Sequence, residues 1–515
     1  MIKKMKPFLI GFAAVLGCLL LALLLTLAES GAPGASITDY PTALWYMLTT
    51  LTTVGYGDTY PVTVLGRVIG GVLQLFSLGL LVFLMGLLFT ALRGRLLPRL
   101  RIKRTAGKKA YIFSCANEAA EALSENLRKE QPHACLIFAE QKMSETGPEH
   151  GLSVPFSPSE IIKLRGKRGE NVVFCMGENP LENEALSSSL LELPCRIYCM
   201  TDHESDLLPA SVSLFDKDTC RSRLYWHEYP LQKPDERIVL IGEGKAAEAL
   251  LLQALLNNVI APDNAVRYDI FGKFGHFRRN HPVLNQGFPA TIADDSHDEL
   301  YFHEEPWNQD PSILMDADRI ILCFREERDT ADYTAALLKY FPLKGAVHAC
   351  LSISHKDVVS FGNNKEIFTP ELVMRTGLDR VAREMNEIYQ KSTGAGVSWE
   401  ELPGFLRRSN MASADHIGAK IRYILGESED GTRLKEQCAE AYDKFENASP
   451  ELRENCRRIE HTRWLRFHLM NNWSYAPVRD NQKRQHPLML PFDDLTPEDQ
   501  AKDDYAWELL RALSQ

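Results

Sequence analysis

The residues whose types and spacing suggest chemistry begin at position 53. They are Thr53, Val54, Gly55, Tyr56 and Gly57, followed by Asp58. Glycine reaches backbone angles closed to other residues, so Gly55 and Gly57 allow successive carbonyl oxygens to point the same way. A ring of such carbonyls can replace the water shell of a potassium ion in a narrow pore. One chain cannot close a ring, so we expect a homotetramer around one axis.

A short helix must precede this segment to position it. Pro41 is suited to the first helical position, and Trp45, Leu48 and Leu51 recur at helical spacing. We therefore expect a helix over residues 42–52. The partial negative charge at its carboxyl end favours a cation nearby.

Two uncharged runs, residues 7–28 and 68–92, flank the helix and the segment. At 1.5 Å per residue each can cross a hydrocarbon core of about 30 Å. A signal peptide is the alternative for the first run, but its apolar part is too long and a second run follows. Lys and Arg lie before the first run and after the second, with none over residues 7–66. We expect a multi-pass protein of the cell inner (plasma) membrane, in contact with the lipid bilayer, with both termini cytoplasmic.

Residues 7–95 resemble the two-transmembrane potassium channel family. Residues 53–58 match its filter signature without a gap, and residues 60–63 and 66–67 match the run into its inner helix. The resemblance implies a potassium-selective pore over residues 1–95. In that family an indole bonds the acid after the filter, which implies that Trp45 and Asp58 support the filter here.

The resemblance leaves the gate open to two interpretations. The family's hinge glycine falls at Ser77, with Gly79 two residues later. Gly79 is predicted either as a hinge or as a packing residue. Thr49 replaces a glutamate that some relatives carry, so inactivation behaviour is not predicted. Neither span is rich in arginine, so no voltage sensor is expected and gating must come from elsewhere.

Short apolar strands alternate with helical stretches after a basic linker at residues 96–109. The alternation predicts a Rossmann-like α/β unit over residues 110–232, and the same pattern restarts over 233–392. A pore followed by such a pair resembles channels with tandem RCK domains, the TrkA-N-like regulators of potassium conductance. The resemblance implies gating by a cytoplasmic small-molecule ligand.

A glycine loop in the second unit is the candidate nucleotide site. Gly242, Gly244 and Ala247 follow a strand and open a helix, where backbone amides can face a phosphate. Lys273 ends the next strand, where a ribose-binding acid would be expected, and can face phosphates instead. A purely structural turn is the alternative. The first unit lacks these glycines, so it is predicted to be degenerate and without a ligand. The expected cofactor is a nucleotide: NAD(H), ATP or ADP, or a cyclic nucleotide.

The last region, residues 393–515, resembles the bacterial form of the RyR repeat domain, named for the ryanodine receptor. The resemblance rests on residues 398–403, 414–416, 460–464 and 472–475 and implies a mostly α-helical domain. Aromatic stacking and charge pairing can hold a nucleotide-like ligand there. The candidates are Trp399, His416, Lys420, His461, Arg463 and Trp464. The alternative is that the tryptophans are core residues and the charges are solvated.

Composition excludes several function classes. The net charge is −10, so nucleic acid is not an expected partner. Eleven cysteines occur without a CxxC pair, so no metal site is expected beyond K⁺ at the filter. No nucleophile–base motif is present, so the chain is not expected to be an enzyme. Two rivals stay open: a membrane-anchored nucleotide-binding or redox protein without conduction, and a channel whose last domain docks a protein partner.

Overall fold

The computed structural model describes residues 2–92, 96–139, 151–166, 168–202, 208–209, 211–284, 287–374, 377–393, 396–399 and 401–514. These residues form two compact units, 1–106 and 107–515.

The first unit is helical. Its helices are α1 (Ile2–Glu29), α2 (Tyr40–Leu51), α3 (Val64–Ala91) and α4 (Leu97–Arg104). Helices α1, α2 and α3 pack around a small apolar core that includes Leu25, Tyr46 and Leu73. Among the described residues, Val64–Gly86 is long and apolar enough to cross a membrane, and Ala13–Glu29 is a shorter apolar helix.

The basic linker predicted over residues 96–109 is partly helical. Helix α4 has Pro98 in its first turn and Arg101, Lys103 and Arg104 in its last. Proline suits the start of a helix, and cations at its carboxyl end favour the helix dipole. Arg93 and Arg95 lie outside the described residues.

The second unit begins with a six-stranded parallel sheet. Its elements are β1 (Ala110–Phe113), α5 (Glu118–Glu130), β2 (Cys135–Ala139), β3 (Leu152–Val154), α6 (Pro158–Arg165), β4 (Asn171–Cys175), α7 (Pro180–Leu190), β5 (Arg196–Met200) and β6 (Val212–Phe215). The strand order is β3-β2-β1-β4-β5-β6. This is the order of a Rossmann fold, with its topological switch point between β1 and β4.

A second sheet repeats the same order. Its elements are α8 (Lys217–Glu228), β7 (Arg237–Glu243), α9 (Lys245–Asn257), β8 (Arg267–Lys273), α10 (Gly275–Asn280), β9 (Ala290–Thr291), β10 (Glu299–His303), α11 (Pro311–Asp316), β11 (Arg319–Cys323), α12 (Glu327–Tyr340), β12 (Ala346–Cys350) and β13 (Val359–Phe361). The order is β13-β12-β11-β7-β8-β10-β9, parallel except for β9 at the edge. The switch point therefore lies between β7 and β11.

The two sheets exchange helices. Helix α8 follows the first sheet in sequence, but its Tyr225 and Trp226 are buried in the core of the second sheet. Helices α13 (Asn364–Ile367) and α14 (Pro370–Met374) follow the second sheet, but Phe368 and Val373 are buried in the core of the first. The predicted boundary at residue 232 therefore divides the sequence without dividing the cores. Each of these helices lies on one side of that boundary in the sequence but adds apolar side chains to the core on the other side.

The carboxyl-terminal region is mostly helical. Its elements are α15 (Arg380–Thr393), α16 (Gly404–Asp415), α17 (Ile417–Leu425), α18 (Leu434–Glu446), α19 (Pro450–Met470), β14 (Ser474–Tyr475), β15 (Gln485–His486), α20 (Pro497–Gln500) and α21 (Tyr505–Ser514). Arg466 of α19 is fully buried and pairs with Asp294 (2.5 Å) and Asp298 (2.9 Å) beside the second sheet. This region and the second sheet thus share an ion-paired interior.

Candidate functional site

The chain turns sharply where α2 ends. Asp39 caps the start of α2 by accepting a hydrogen bond from the Thr42 amide (2.8 Å). At the other end the Thr49 carbonyl accepts from the amides of Val54 (3.0 Å) and Gly55 (3.2 Å). These bonds turn the backbone back on itself, so the segment starts from a fixed point.

Positive φ angles alternate along the segment. They are 60° at Thr53, 53° at Gly55 and 75° at Gly57. Such angles are ordinary for glycine and uncommon for threonine, so the conformation at Thr53 is strained. Among the described residues, no hydrogen-bond donor reaches the carbonyl oxygens of residues 53–57. The segment therefore presents main-chain oxygens that remain available to a cation.

Trp45 and Asp58 lie together, as the sequence predicts. The Trp45 indole donates a hydrogen bond to the Asp58 carboxylate (2.9 Å). The Trp45 ring also stacks on the Tyr56 ring, with centroids 5.9 Å apart and planes 3° apart. Through Trp45, helix α2 thus contacts Tyr56, which lies within the segment, and Asp58, which follows it.

Sequence reasoning missed Glu29, which ends α1. Its carboxylate accepts hydrogen bonds from the amides of Val62 and Thr63 (2.9 Å each) and from the Thr63 hydroxyl (2.7 Å). A Cβ at Gly66 would lie 1.9 Å from the carboxylate, so a side chain there would displace it. Glu29 fixes the chain between the segment and α3. The one available signal was an acid ending a long apolar run.

Ser77 and Gly79 lie within the continuous helix α3. A Cβ at Gly79 would meet nothing within 4 Å in the described chain. Packing within one subunit therefore does not explain this glycine. The Ser77 side chain lies outside the described residues, and the hinge stays a prediction.

The glycine loop of the second sheet lies at its switch point. Gly242 is in β7, and a Cβ there would lie 2.0 Å from the Cys323 carbonyl oxygen and 3.2 Å from the Ala247 Cβ. Gly244 has φ 89° and opens α9, and no side chain caps that helix. Gly242 is therefore required by close packing and Gly244 by its positive φ, and the first amides of α9 have no side-chain partner.

Two lysines near this loop are already paired. Lys273 contacts Glu243 (2.9 Å), although its side chain is 86% exposed. Lys245 pairs with Asp202, which follows β5 of the first sheet. A phosphate at this loop would have to compete with these two carboxylates.

The corresponding loop of the first sheet is closed by hydrogen bonds. Ser114 accepts from the Met176 amide (3.0 Å), and the Asn117 side chain donates to the Met176 carbonyl (2.7 Å). These bonds join the ends of β1 and β4, where a ligand would enter. That this copy is degenerate and without a ligand stays a prediction. Glu140, which follows β2, lies outside the described residues.

Three charged side chains form a buried triad in the carboxyl-terminal region. Glu460 contacts Lys420 (2.8 Å) and Arg463 (2.5 Å), and the triad is less than 5% exposed. Burial alone would raise the pKa of Glu460, but Arg463 and Lys420 outweigh it and lower that pKa. The predicted charges are thus neither solvated nor open to a ligand in this arrangement.

Two histidines flank the triad. His416 donates to the Val259 carbonyl (2.6 Å), and burial, with Lys420, lowers its pKa to about 3. His461 donates to the Leu490 carbonyl (2.8 Å) and lies 3.3 Å from the Asp503 carboxylate. Burial opposes protonation of His461, but Asp503 outweighs it and raises the pKa.

An aromatic cluster adjoins His461. The Trp464 ring lies 5.9 Å from His461 and 4.0 Å from His468. Trp473, which sequence reasoning did not select, lies 5.3 Å from His468. The Trp473 indole nitrogen and one Arg463 guanidinium nitrogen are buried without a hydrogen-bond partner in the described chain. This cluster therefore offers two unused donors beside stacked rings.

Trp399 is separate from the other candidates. It packs with Ala382 and Leu402, and the Arg383 guanidinium lies 5.1 Å from its ring. The six predicted ligand residues therefore do not surround one site.

Comparisons with known proteins show that the first unit is similar to ion channels. Residues 8–94 match the family model described as "Ion channel". The calcium-gated potassium channel TvoK of Thermoplasma volcanium is 27% identical over 186 residues, 36% of this chain and 47% of that protein. The voltage-gated potassium channel protein Shal of Drosophila melanogaster is 38% identical over 64 residues, 12% of this chain and 11% of that protein. The chain thus spans less than half the length of these relatives.

Solved structures show a distant likeness. A crystal structure of GsuK bound to ADP is 14% identical, with a TM-score of 0.35, over 72% of this chain and 99% of that one. The GsuK channel bound to NAD is 13% identical, with a TM-score of 0.35, over 74% and 86%. The predicted ion-channel pore domain is confirmed by the family match, and the Rossmann-like sheets by their strand order.

Proposed function

We propose that this chain forms a homotetrameric, potassium-selective channel gated by a cytoplasmic small molecule. The observation that carries the proposal is the segment 53–57, whose carbonyl oxygens accept no hydrogen bond from the described residues. Four such segments around one axis would give stacked rings of oxygens that replace the hydration of K⁺. Thr53, Val54, Gly55, Tyr56 and Gly57 form the filter in this proposal, and Trp45 and Asp58 support it.

Gating in this proposal works through differential affinity. A ligand shifts the channel only if it binds one arrangement of the cytoplasmic part more tightly than another. Residues 93–109 connect that part to α3, where Ser77 or Gly79 acts as the hinge. The region 393–515 is the RyR-like sensor, and 233–392 is the RCK-type domain that carries the glycine loop.

A nucleotide fits two places in the cytoplasmic part. The first amides of α9, after Gly244, have no side-chain cap. The second place is the Trp464 ring cluster, where buried donors of Arg463 and Trp473 have no partner among the described residues, and it would have to open to admit a ligand. Calcium appears in the name of the TvoK relative, and the described residues contain no group of three His, Cys, Asp or Glu able to hold a metal.

Potassium flux into liposomes tests the filter. Gly55→Ala places a Cβ at φ 53°, whereas Gly71→Ala places one on α3, and neither Cβ would meet a neighbour within 4 Å. The pair therefore separates backbone conformation from steric bulk. We expect Gly71→Ala to keep selective flux and Gly55→Ala to lose conduction or the preference for K⁺ over Na⁺. Equal passage of sodium and potassium by the unaltered protein would contradict the proposal.

A nucleotide panel tests the ligand. NAD, NADH, ATP, ADP and cyclic nucleotides are added to the full chain, and the unfolding temperature and the flux are both followed. A gating ligand raises the unfolding temperature and changes flux. Stabilisation without a change in flux would exclude gating by that nucleotide. Turnover of NADH without any current would favour the redox rival.

A further inference from the structure

A cavity opens at the amino-terminal edge of the second sheet, opposite the glycine loop. It has a volume of about 640 Å³, which is within the usual size of small-molecule sites. It lies between the end of α8 and the starts of β7, β11 and β12. Its walls include Glu228, Tyr229, Lys233, Asp318, Ala346 and His348.

His348 lines this cavity and carries a buried polar atom without a partner among the described residues. Its side chain is 5% exposed, and its Nδ1 has no hydrogen-bond partner in the described chain. Its ring lies edge-on to Tyr229, with centroids 5.1 Å apart. A buried polar atom without a partner is costly, so a molecule that bonds Nδ1 gains affinity. Burial, with Arg319, lowers the pKa of His348 to about 4, so the ring is neutral at pH 7.

Among the charged residues around the cavity, Glu228 is a carboxylate without an ion pair in the described chain. Glu236 pairs with Arg319 (2.9 Å), and Lys233 pairs with Asp318 (2.9 Å). Glu228 has no cationic side chain within ion-pair distance among the described residues. Partial burial, together with nearby Glu366, raises the pKa of Glu228, and His227 opposes this rise.

We infer that this cavity binds a small planar organic cation. The ring packs against Tyr229, a hydrogen bond reaches His348 Nδ1, and the ammonium pairs with Glu228. The basic side chains of the cavity are already neutralised, so an organic anion gains no comparable partner. The site is independent of the glycine loop and of conduction. Since α8 follows the first sheet and packs on the second, a ligand here would bind where the two sheets are joined.

Calorimetry on the full chain in detergent tests the site. The probes are tryptamine and benzylamine, each paired with an anion on the same ring, indole-3-acetate and benzoate. We expect at least one amine to bind and its matched anion to bind roughly tenfold more weakly or not at all. Binding of neither amine, or equal binding of amine and anion, would overturn the inference.

Two variants assign the contacts. Glu228→Gln should weaken amine binding roughly fivefold, as expected for a half-exposed ion pair. The exposed Glu192→Gln is the matched control for charge and should leave binding unchanged. His348→Phe keeps a ring in place but removes Nδ1, so it should abolish amine binding without lowering the unfolding temperature. Amine binding that is the same in unaltered protein, Glu228→Gln and His348→Phe would place the amine elsewhere and refute the site.

Discussion

Two thiols meet at the carboxyl ends of β11 and β12. Leu322 lies opposite Ala349 in the parallel register, so the next residues, Cys323 and Cys350, are neighbours. A hydrogen bond from Cys323, aided by the positive charge of Arg221, lowers the pKa of Cys350 to about 7. The pKa of Cys323 is raised correspondingly. Half-buried Cys350 therefore loses its proton more readily than an ordinary thiol, and Cys323 less readily.

Alkylation should reveal this difference. We expect iodoacetamide to label Cys350 at pH 7, with a rate that rises through pH 7 and then levels off. Half-buried Cys195 is the control, because burial raises its pKa to about 11 and its labelling should rise only at alkaline pH. Cys323→Ala removes the donor and should slow labelling of Cys350 at pH 7. Peptide mass spectrometry measures each rate, and equal pH profiles at the two positions would contradict the assignment.

The buried triad predicts an asymmetric response to charge removal. Glu460→Gln leaves Lys420 and Arg463 as buried cations without their carboxylate, and we expect a loss of about 3–5 kcal/mol in the free energy of unfolding. Glu454→Gln on the same helix removes a half-exposed partner of Arg458 (2.7 Å) and should cost less than about 1 kcal/mol. Denaturant titration compares them, and equal losses would show that burial does not matter here.

The sequence identified functional residues best where those residues lie close together along the chain. The filter segment, Trp45 and Asp58 lie within 14 residues, and the turn after α2 brings Trp45 and Asp58 together, as the family resemblance implies. Lys420 and Arg463 were selected without Glu460, which pairs with both. Lys420 comes from a different helix 40 residues away, and no local pattern reports that pairing.

At the scale of elements, the exchange of helices decides which core each segment stabilises. Asn126 of α5 donates to the carbonyl oxygens of Lys365 (2.8 Å) and Phe368 (3.0 Å), so α5 and α13 are tied together. Phe368 is buried in the first core and Phe361 in the second, although only seven residues separate them. Two residues that are close in sequence thus stabilise different sheets.

The exchange of helices predicts that phenylalanine-to-alanine substitutions at positions 368 and 361 speed hydrogen exchange in different sheets. Phe368→Ala and Phe361→Ala should each cost about 3–5 kcal/mol. Phe368→Ala should speed hydrogen exchange at β1 more than at β7, and Phe361→Ala should do the reverse. Exchange measured by mass spectrometry on the full chain distinguishes them. The same pattern in both variants would mean that the two sheets unfold as one.

Apolar periodicity predicts the alternation of strands and helices, and the central strands β1, β4, β7 and β11 follow it. Short strands such as β3, β9 and β13 were not predicted, because two or three residues carry too little pattern. The destinations of α8, α13 and α14 were also missed. Their apolar faces are visible in the sequence, but which sheet covers each face depends on the folded structure.

For the whole molecule, buried neutral histidines set the response to acid. The pKa of His416 and of His468 is about 3, in both cases chiefly because of burial, against about 6.5 for an unfolded histidine. Below pH 6.5 the unfolded chain binds protons that the folded chain does not. Stability is therefore fully present above pH 6.5 and falls as the pH drops towards 4. His461 acts in the opposite sense and offsets part of this loss.

A pH series of unfolding measurements tests this account. Each depressed histidine should cost about 1.4 kcal/mol per pH unit below pH 6.5. His468→Gln should lower stability at pH 7.5 but flatten the decline between pH 6.5 and 5. His276→Gln, at a side chain that is 61% exposed, should leave the slope unchanged. If the decline of stability with falling pH were the same in His468→Gln as in the unaltered protein, His468 would not contribute to the acid response.

The exchanged helices also set an order of events during synthesis. The last strand of the first sheet ends at Phe215, but Phe368 and Val373, which complete its core, emerge from the ribosome roughly 150 residues later. At about 5–20 residues per second this is a delay on the order of ten seconds. Throughout that interval the nascent first sheet carries an uncovered apolar face, which makes it a natural client for chaperones.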